Sequence, residues 1–526
     1  MNLLGRAVLA LLVAVPLLGQ AATMACGRVY LDANENGRRD WREAGVADVK
    51  VSNGRDVVRT DAKGRYRIEL DDGDTLFMIK PAGYRLPLDP VSGLPNFWRH
   101  HFPNGSAALK YGRIAPTSAR RAEFALLPAP DEDARPFDVL VVTDPQMKNA
   151  KELDYYARSI VAPASRLQGL SMAMTLGDLV DDALNMHAGL NRVNAALGLP
   201  WLHAPGNHDI DFDVADDAQS LINYRRTFGP DTVAWERLGF AFIALDDVIY
   251  MPGKRPAYVG GLRDDQFRFL ENYLATLAPE TRVVMSFHIP LFDDPGETFR
   301  HADRKRLFDL LARFSKPLIL SGHTHQQGHH FHGLESGWSG TEPLHEYNVG
   351  AACGGYWSGL LDADGLPDAR MEDGTPNGYA VVHFDAHGIK TRYYASRGRD
   401  ALRIGLTSPG VIRRGAYPAI PMVANVFAAE ADAVVEYRVD EGEWIPMIRS
   451  IEPDAELLAL NLADREADQL RSFDRAVVAK PSQHVWRANV PTNLAAGEHR
   501  IEVRAVGRSE GELRASTSYR LMDWNP

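Results

Sequence analysis

Apolar and polar positions follow three different patterns along the chain, and each pattern predicts a different kind of structure. Between residues 26 and about 130, short alternating runs such as GRVYLD, VKVS and YRIEL are separated by Gly, Asn and Asp. Alternation between turn residues predicts the strands of a small β-sandwich. Beyond about residue 399, runs such as GEHRIEVRAV predict a second, C-terminal β-domain, with one helix near 456–471.

The middle of the chain, residues 131–398, has continuous apolar runs instead. They are FDVLVVTD, SMAMTLGD, PWLHAPGNHD, GFAFIALD, RVVMSFHIP and KPLILSGHTH. Stretches 265–277 and 301–314 lie between or beside these runs, and the apolar residues of the first recur at helical spacing. Apolar strands separated by helices predict an α/β layered domain with a buried sheet. The Pro- and acid-rich stretch LPAPDEDARP predicts the linker that precedes it.

Composition places the chain among ordinary globular proteins. Of its 526 residues, 45% are hydrophobic and 24% are charged, and this length suggests about three or four domains. The net charge of -11 argues against broad attraction to nucleic acid, so no nucleic-acid-binding surface is expected. The sequence makes no prediction of oligomeric state.

The first 25 residues have the pattern of an export signal. Arg6 is followed by an apolar run over 7–18 and by small residues, so cleavage is expected after Ala21 or Ala25. The run is short for a bilayer span, and no later segment is long and apolar enough to cross a membrane. We therefore predict an exported protein, periplasmic or secreted. A lipid anchor on Cys26 is the less favoured alternative, and a disulfide between Cys26 and Cys353 stays open.

Five of the apolar runs end in side chains that bind metals. These residues are Asp144, Gln146, Asp178, Asn207, His288, His323 and His325. Sites in α/β folds form where strands end, so these side chains are expected to converge. Carboxylates, amides and imidazoles together suit divalent Mn, Fe, Zn or Mg.

In the order TDPQ, GDLVDD, GNHD, SFHIP and GHTH, these motifs resemble the calcineurin-like metallophosphoesterase family over residues 137–395. Four of the five family motifs are met. Gln146 stands where the first motif usually has histidine, and an amide oxygen is a weaker ligand. The resemblance implies a central four-layer α/β/β/α domain with two metal ions at the strand ends.

The resemblance also implies roles for single residues. Asp144, Gln146, Asp178 and His325 would hold one metal ion, and Asp178 would bridge to a second ion held by Asn207, His288 and His323. His208, oriented by Asp209, would donate a proton to the leaving oxygen. Asp181 would accept a hydrogen bond that fixes a ligand.

The later segments NVGAACGGYWSG and DGTPNGY resemble a bacterial, exported branch of the same family, which flanks its catalytic domain with N-terminal and C-terminal β-domains. Tyr356 and Asn377 in these segments are candidates for substrate contact, with packing as the alternative. Three further histidines have no counterpart in the motifs and are expected to line or flank the cleft: His329, His330 and His332. His203, inside an apolar run, is expected to be structural.

One motif near the N-terminus predicts a different ion. The segment DANENGRRDWRE places Asp32, Asn34, Asn36, Asp40 and Glu43 at the spacing of a calcium loop. A strand precedes it, which disfavours a helix–loop–helix hand. The segment resembles the calcium-binding start of bacterial surface B domains, and an Asn- and Gly-rich surface turn is the alternative.

The sequence therefore predicts an exported, dinuclear metal-dependent phosphoesterase that hydrolyses a phosphate ester with metal-activated water, and its expected partner is a small phosphorylated substrate. One alternative is a phosphodiesterase or pyrophosphatase acting on nucleotide or lipid headgroups. Another is a catalytically weak cell-surface binding protein, which the substitution at Gln146 favours.

Overall fold

The structure is a computed structural model, and it describes residues 23–129, 136–237, 239–293, 296, 298–385, 388–397, 402–469, 475–508 and 511–524. Most of the predicted export signal, part of the predicted linker and the predicted boundary at residue 398 lie outside the described residues. The described residues form an N-terminal module, a central module and a C-terminal module. The prediction of sheet-rich modules on both sides of a central α/β domain is thus confirmed.

The N-terminal module contains two four-stranded sheets, in the orders β4-β1-β8-β6 and β3-β2-β5-β7. Its strands are β1 (Thr23–Leu31), β2 (Lys50–Ser52), β3 (Val57–Arg59), β4 (Arg65–Leu70), β5 (Asp74–Met78), β6 (Tyr84–Arg85), β7 (Trp98–His101) and β8 (Glu123–Pro128). In β4 the apolar Tyr66, Ile68 and Leu70 are buried, while the charged residues between them are exposed. The alternation that predicted strands therefore matches their burial.

The central module has two larger sheets with helices beside them. Its strands are β9 (Phe137–Val142), β10 (Leu170–Leu176), β11 (Trp201–Ala204), β12 (Thr232–Arg237), β13 (Phe240–Leu245), β14 (Val248–Tyr250), β15 (Tyr258–Gly260), β16 (Arg282–Ser286), β17 (Leu318–Ser321), β18 (Gly328–His332), β19 (Leu344–Asn348), β20 (Gly378–Phe384) and β21 (Ile389–Ala395). Its helices are α1 (Ala150–Tyr156), α2 (Ala162–Ala164), α3 (His187–Asn194), α4 (Ile222–Phe228), α5 (Asp264–Leu274) and α6 (His301–Leu311). Helices α5 and α6 occupy most of the two stretches that the periodicity predicted.

The two central sheets pack face to face. Their orders are β11-β10-β9-β20-β21 and β12-β13-β16-β17-β19-β18. Strand β9 is buried on both sides: Val139 and Val141 join the core between the sheets, while Leu140 and Val142 join the core toward the helices. Across the interface, the Phe137 ring lies 6.1 Å from that of Phe242.

Seven central strands present their carboxyl ends to the motif loops. Strands β9, β10 and β11 are parallel to each other, and so are β13, β16, β17 and β19. Parallel strands end at the same edge of their sheet, so the loops that follow them meet in space. The site described below lies at this edge.

The C-terminal module is built from sheets in the orders β22-β24-β28-β27 and β23-β30-β29-β25-β26. Its elements are β22 (Ile404–Thr407), β23 (Val411–Arg413), β24 (Pro421–Val426), β25 (Val434–Val439), β26 (Ile445–Pro446), β27 (Ile448–Pro453), α7 (Ala455–Glu466), β28 (Pro481–Asn489), β29 (Gly497–Gly507) and β30 (Gly511–Met522). Helix α7 lies where the sequence predicted a helix. This module has an apolar core of its own, in which Trp486, Ile501 and Tyr519 are buried.

The flanking modules join the central module in different ways. The N-terminal module shares a continuous apolar core with it, and the Phe97 ring lies 5.6 Å from that of Trp235. The C-terminal module is joined by buried polar contacts, such as the pair of His484 with Asp373. Within the described residues, no helix is both long enough and apolar enough to cross a bilayer.

Candidate metal centre

The motif loops hold their side chains in an uncommon backbone conformation. Five motif residues have positive φ angles: Asp144 (49°), Gln146 (37°), Asp178 (49°), His323 (71°) and His325 (52°). A residue with a side chain rarely adopts this region, and when it does the cost is offset by its surroundings. Backbone hydrogen bonds hold these turns, including one from the Gln146 amide to the Asp178 carbonyl at 3.0 Å. These turns direct the side chains of three different loops toward one point.

Four side-chain atoms form one cage at this point. His288 Nε2 lies 3.0 Å from Asn207 Oδ1, 3.1 Å from His323 Nδ1 and 3.3 Å from Asp178 Oδ2. His288 Nδ1 donates to the Leu176 carbonyl at 2.8 Å, so Nε2 keeps its lone pair for a cation. Ligand atoms about 2 Å from a central ion lie about 3 Å apart, so this donor set fits a divalent metal.

A second group of atoms lies on the other side of Asp178. His325 Nε2 is 3.3 Å from Asp144 Oδ1, and His325 Nδ1 donates to the Gly355 carbonyl at 3.1 Å. Asp144 is fully buried, and its Oδ1 has no hydrogen-bond partner in the described part of the chain. The His325 Nε2 contact at 3.3 Å is therefore an ion pair and not a hydrogen bond, and a cation bound between the two atoms would take the place of that contact. This group therefore also fits a metal ion.

Gln146 links the second group to a cysteine that the sequence did not mark. Its Nε2 donates to Asp178 Oδ2 at 2.9 Å, and its Oε1 accepts from the Cys353 thiol at 3.4 Å. Cys353 is buried and Cys26 is exposed, and both are free, so the two do not form a disulfide in this structure. Burial raises the pKa of the Cys353 thiol, which is therefore neutral near pH 7.

The cage concentrates opposite charges in a buried place. Burial opposes charge on Asp178, but the attraction of His288 lowers the pKa of this carboxyl. Burial likewise opposes charge on His288, but Asp178 raises the pKa of the imidazole to about 10. A divalent cation requires the neutral imidazole, so metal binding would take the place of this proton.

His208 lies beside the cage and points to other carboxylates. Its amide donates to Asp178 Oδ1 at 2.8 Å, and its Nδ1 lies 2.9 Å from Asp182 Oδ1 and 3.4 Å from Asp181 Oδ1. Burial lowers the pKa of His208, but the hydrogen bond to Asp182 and the nearby carboxylates raise it to about 9. The ring therefore holds a proton at neutral pH. Asp181 also approaches Lys148 Nζ at 3.6 Å, and the hydrogen bond by which it was predicted to fix a metal ligand stays a prediction.

The predicted pairing of His208 with Asp209 is wrong. Asp209 is fully buried, and its Oδ2 accepts from the amides of Leu179 (3.0 Å) and Gly206 (2.9 Å). Its Oδ1 lies 3.1 Å from His187 Nε2. Asp209 therefore ties together the two loops that carry Asp178 and Asn207, while Asp182 faces His208.

The two predicted substrate contacts behave differently. Tyr356 is 65% exposed, and its ring lies 6.5 Å from that of His325, at the mouth of the site. Asn377 is buried, and its Nδ2 donates to the Ala352 carbonyl at 2.8 Å. Its side-chain oxygen accepts from Ser396, so its polar atoms are used within the fold. The substrate role predicted for Asn377 is replaced by packing.

The remaining histidines stay outside the cage. His203 Nδ1 lies 2.7 Å from Thr175 Oγ1, and burial lowers its pKa to about 3, as suits a structural residue. His332 Nε2 lies 2.7 Å from Glu346 Oε2. His329 pairs with His345, and His330 stacks on Phe292 with ring centroids 3.6 Å apart.

Sequence reasoning missed Asp247, which supports the cage from behind. Its two carboxylate oxygens accept from the amides of His288 (3.0 Å) and Ile289 (2.8 Å). A signal was present, because Asp247 directly follows the run GFAFIALD, much as the motif residues follow the other apolar runs. Asp182 was equally visible in GDLVDD.

The residues predicted to bind calcium form a closed loop. Asp32 accepts from the amides of Asn36 (3.1 Å) and Gly37 (2.8 Å), and Asp40 Oδ2 accepts from Asn34 Nδ2 at 2.8 Å. Glu43 Oε1 accepts from the Ala33 amide at 3.1 Å. Calcium binding in this loop stays a prediction.

The fold and the cage define a class: an α/β protein with carboxylate, amide and imidazole ligands for divalent cations at the ends of its parallel strands. Three family models match the chain: Calcineurin-like phosphoesterase over residues 137–327, the N terminal of Calcineurin-like phosphoesterase over 33–111, and the C terminal of Calcineurin-like phosphoesterase over 346–511. The chain belongs to the calcineurin-like phosphoesterase family. Membership implies a dinuclear metal centre and, in general terms, a metal-dependent phosphoester hydrolase.

Two solved structures are similar to this chain at low identity. The purple acid phosphatase PPD1 from yellow lupin (Lupinus luteus) seeds is 12% identical, with 71% of each chain covered and a TM-score of 0.38. GAP50, the anchor in the inner membrane complex of Plasmodium, is 13% identical, with 50% of this chain and 85% of that chain covered and a TM-score of 0.31. No curated protein matches the chain.

Proposed function

We propose that this protein is an exported phosphoesterase that uses two divalent cations to hydrolyse a phosphate ester. The observation that carries the proposal is the cage in which His288 Nε2 lies 3.0–3.3 Å from the ligand atoms of Asp178, Asn207 and His323, a spacing that fits ligands around one ion. The Asp144 Oδ1 and His325 Nε2 atoms, which lie 3.3 Å apart, support a second ion beside it. Carboxylates with imidazoles suit Mn, Fe, Zn or Mg. The signal-like pattern of the first 25 residues supports export.

When bound, the two cations would supply positive charge for the phosphate and Lewis acidity for water. The residues of the chain supply the rest. His208, protonated and held by Asp182, is placed to give its proton to the leaving oxygen. Asp178 keeps the amide of His208 in place through its Oδ1. No nucleophilic side chain is required.

The experiment measures hydrolysis and metal content together. Purified protein is loaded with Mn²⁺ and assayed with p-nitrophenyl phosphate and with bis-p-nitrophenyl phosphate, before and after chelation. Turnover that is lost on chelation and regained with Mn²⁺ supports the proposal, and preference for the diester supports a phosphodiesterase. Protein that binds no metal and hydrolyses neither ester contradicts it and supports a binding protein.

Two variants separate the roles in the site. Asp178→Asn should remove nearly all turnover and lower the metal content, because Asp178 faces both groups of ligands. His208→Ala should keep the metal content and slow turnover about 100-fold, the usual share of a general acid. Loss of metal in His208→Ala contradicts the role given to His208.

For the central domain we propose the four-layer order α/β/β/α. Apolar residues of α3 and α4, such as Leu190 and Tyr224, join the core with Leu140, which supports a helical layer on the five-stranded sheet. Residues of α5 and α6, such as Phe267 and Leu307, join the core of the six-stranded sheet, which supports the second helical layer.

A further inference from the structure

A turn of the N-terminal module lies against the side of the metal centre where His208 stands. Leu109 and Gly112 exchange two backbone hydrogen bonds, each 3.0 Å long, so Lys110 and Tyr111 form the tip of a tight two-residue turn. This 109–112 turn belongs to the segment between β7 and β8. It is therefore supplied to the site by a flanking module and not by the central one.

Two hydrogen bonds join the tip of the 109–112 turn to the central module. The Tyr111 hydroxyl donates to the Asp182 carbonyl at 2.8 Å, and the Tyr111 ring packs against the apolar core on the helical side of the five-stranded sheet. The Lys110 amide donates to Asp213 Oδ2 at 2.7 Å, in the loop that follows His208. The turn thus contacts the loop of Asp182 and the loop of His208 together.

Packing holds the base of the 109–112 turn in place. Leu109 packs beside Ile222 of helix α4, in a small apolar cluster shared by the two modules. Gly112 has a positive φ of 126°, and a Cβ atom at this position would collide with the guanidinium of Arg226 on the same helix. The base of the turn is therefore fixed against α4, and the tip has a fixed position from which to reach Asp182.

Asp182 is the residue whose position the turn can influence. Its φ is 56°, a conformation that residues with a side chain rarely adopt unless their surroundings hold them there. Its side chain is 55% exposed, and Oδ1 lies 2.9 Å from His208 Nδ1. A hydrogen bond to the main chain of Asp182 therefore fixes the point from which this carboxylate reaches the imidazole.

We propose that the 109–112 turn is part of the active site and that Tyr111 is a positioning residue for proton donation by His208, acting through Asp182. This inference rests on the proposed phosphoesterase function. The bond between phosphorus and the leaving oxygen breaks, the electron pair stays on that oxygen, and a proton from His208 Nε2 neutralises it. Nε2 is the donor because Asp182 occupies Nδ1 and fixes the orientation of the ring. The N-terminal module thereby contributes to catalysis.

The test uses the dependence of turnover on the leaving group. Phenyl phosphate releases a basic oxygen that needs a proton, whereas p-nitrophenyl phosphate releases a weakly basic oxygen that needs little help. In Mn²⁺-loaded Tyr111→Phe, kcat for phenyl phosphate should fall about fivefold or more, since one hydrogen bond is lost while the ring stays. The kcat for p-nitrophenyl phosphate should fall by less than about twofold. Diphenyl phosphate and bis-p-nitrophenyl phosphate give the same comparison for a protein that prefers diesters.

The matched control is Tyr66→Phe. Tyr66 lies in the same module, and its hydroxyl also donates to a main-chain carbonyl, that of Ala122 at 2.7 Å. This variant should leave the ratio of the two kcat values unchanged. Adding Tyr111→Phe to Asp182→Ala should not change the ratio further, because the carboxylate through which Tyr111 acts is already gone. An equal loss on both esters in Tyr111→Phe, no loss, or a full further loss in the double variant overturns the proposal.

Hydrogen exchange separates this proposal from the proposed function. Mass spectrometry follows the amides of peptides that contain Asp182 or His208 in the full-length protein, which needs no turnover. Faster exchange in Tyr111→Phe but not in Tyr66→Phe supports the placement of Asp182 by Tyr111, even when no ester is hydrolysed. Unchanged exchange in Tyr111→Phe overturns the proposal. When the native protein hydrolyses an ester in the same experiment, the proposed function stands without the role of Tyr111.

Discussion

Gln146 has two different partners, and they determine how its amide can serve a metal ion. In the structure Nε2 faces Asp178 and Oε1 faces the Cys353 thiol. A half-turn of the amide would bring the oxygen to the cation and Nε2 to the sulfur, which can accept a weak hydrogen bond. We therefore expect Cys353 to position the amide of Gln146 for the predicted metal ligation.

Cys353→Ala should therefore weaken the binding of the metal ion that Gln146 is predicted to ligate. Without the sulfur, Nε2 has no partner on that side, and loss of such a support lowers metal affinity by about 10-fold or more. Elemental analysis after graded chelation should show one metal equivalent leaving early, while Cys353→Ser should stay close to the native protein. Equal metal retention in all three proteins would mean that Cys353 does not support Gln146.

Asp182 and Asp209 allow a direct comparison of two carboxylates near His208. Asp182→Ala should keep the fold and the metal content and lower kcat about 10-fold, because His208 loses its nearest acceptor and part of its proton affinity. Asp209→Ala should instead lower the free energy of unfolding by about 3 kcal/mol, because it leaves the buried Leu179 and Gly206 amides unpaired. Kinetics, metal content and urea titrations separate the two outcomes. The reverse result would restore Asp209 as the partner of His208.

These residues also show what the sequence could predict at this scale. The seven predicted ligands are brought to one place, because each follows the end of a strand and strand ends are visible as the limits of apolar runs. The partner of His208 was mispredicted, because the resemblance assigned Asp209 to it, while in this chain the Asp209 carboxylate accepts from the Leu179 and Gly206 amides instead. For Asn377 the sequence left substrate contact and packing open, because a polar residue beside a Gly-rich loop can face either the cleft or the backbone, and the contacts of Asn377 are those of packing.

At the scale of elements, one buried network connects β28 of the C-terminal module to the loop that carries the GHTH histidines. Asp373 accepts from the Gln327 amide at 3.0 Å and pairs with His484 of β28 at 3.1 Å. Burial raises the pKa of Asp373, but His484 and the backbone donors lower it overall. The stabilisation is therefore present above about pH 4 and is lost as the pH falls through the lowered pKa.

His484→Ala should show how much this network contributes to the free energy of unfolding. It removes one partner of a buried carboxylate, which keeps its backbone donors, and such a loss costs about 1–3 kcal/mol. Asp440→Ala is the control, because Asp440 pairs with His499 at the surface of the same module, where the cost is about 1 kcal/mol or less. Urea titrations at pH 7 give both values. Similar losses of unfolding free energy in the two variants would show that the buried pair stabilises the protein no more than the surface pair does.

At the scale of the whole molecule, the number of cores predicts how the protein unfolds. The N-terminal and central modules share one apolar core, while the C-terminal module has its own. Calorimetry should therefore show two transitions. Phe97→Ala removes the ring packed on Trp235. It should lower the free energy of unfolding by about 3–5 kcal/mol, and only for the transition that contains the central module. Tyr519→Ala should lower the free energy of unfolding only for the transition of the C-terminal module.

The sequence predicted the three modules through their changes of hydrophobic pattern, but it did not predict how they join. Phe97 and Trp235 are apolar residues in strands or beside them, and such residues look the same whether they face their own core or a neighbour's. Contacts between modules depend on packing between residues far apart in the sequence, and the local spacing of apolar residues does not reveal such packing.

The two flanking modules also cover the open sides of the six-stranded sheet. On β12 the Glu236 amide donates to the Lys80 carbonyl of the N-terminal module at 2.7 Å, and on β18 the Phe331 ring lies 5.7 Å from the Arg508 guanidinium of the C-terminal module. An uncovered edge strand can pair with a strand of another chain, and this pairing leads to aggregation. The histidines of β18 also make this edge strand polar, in addition to its cover by the C-terminal module. A shortened chain that lacked either flank would be expected to self-associate before its catalytic loops could be assayed.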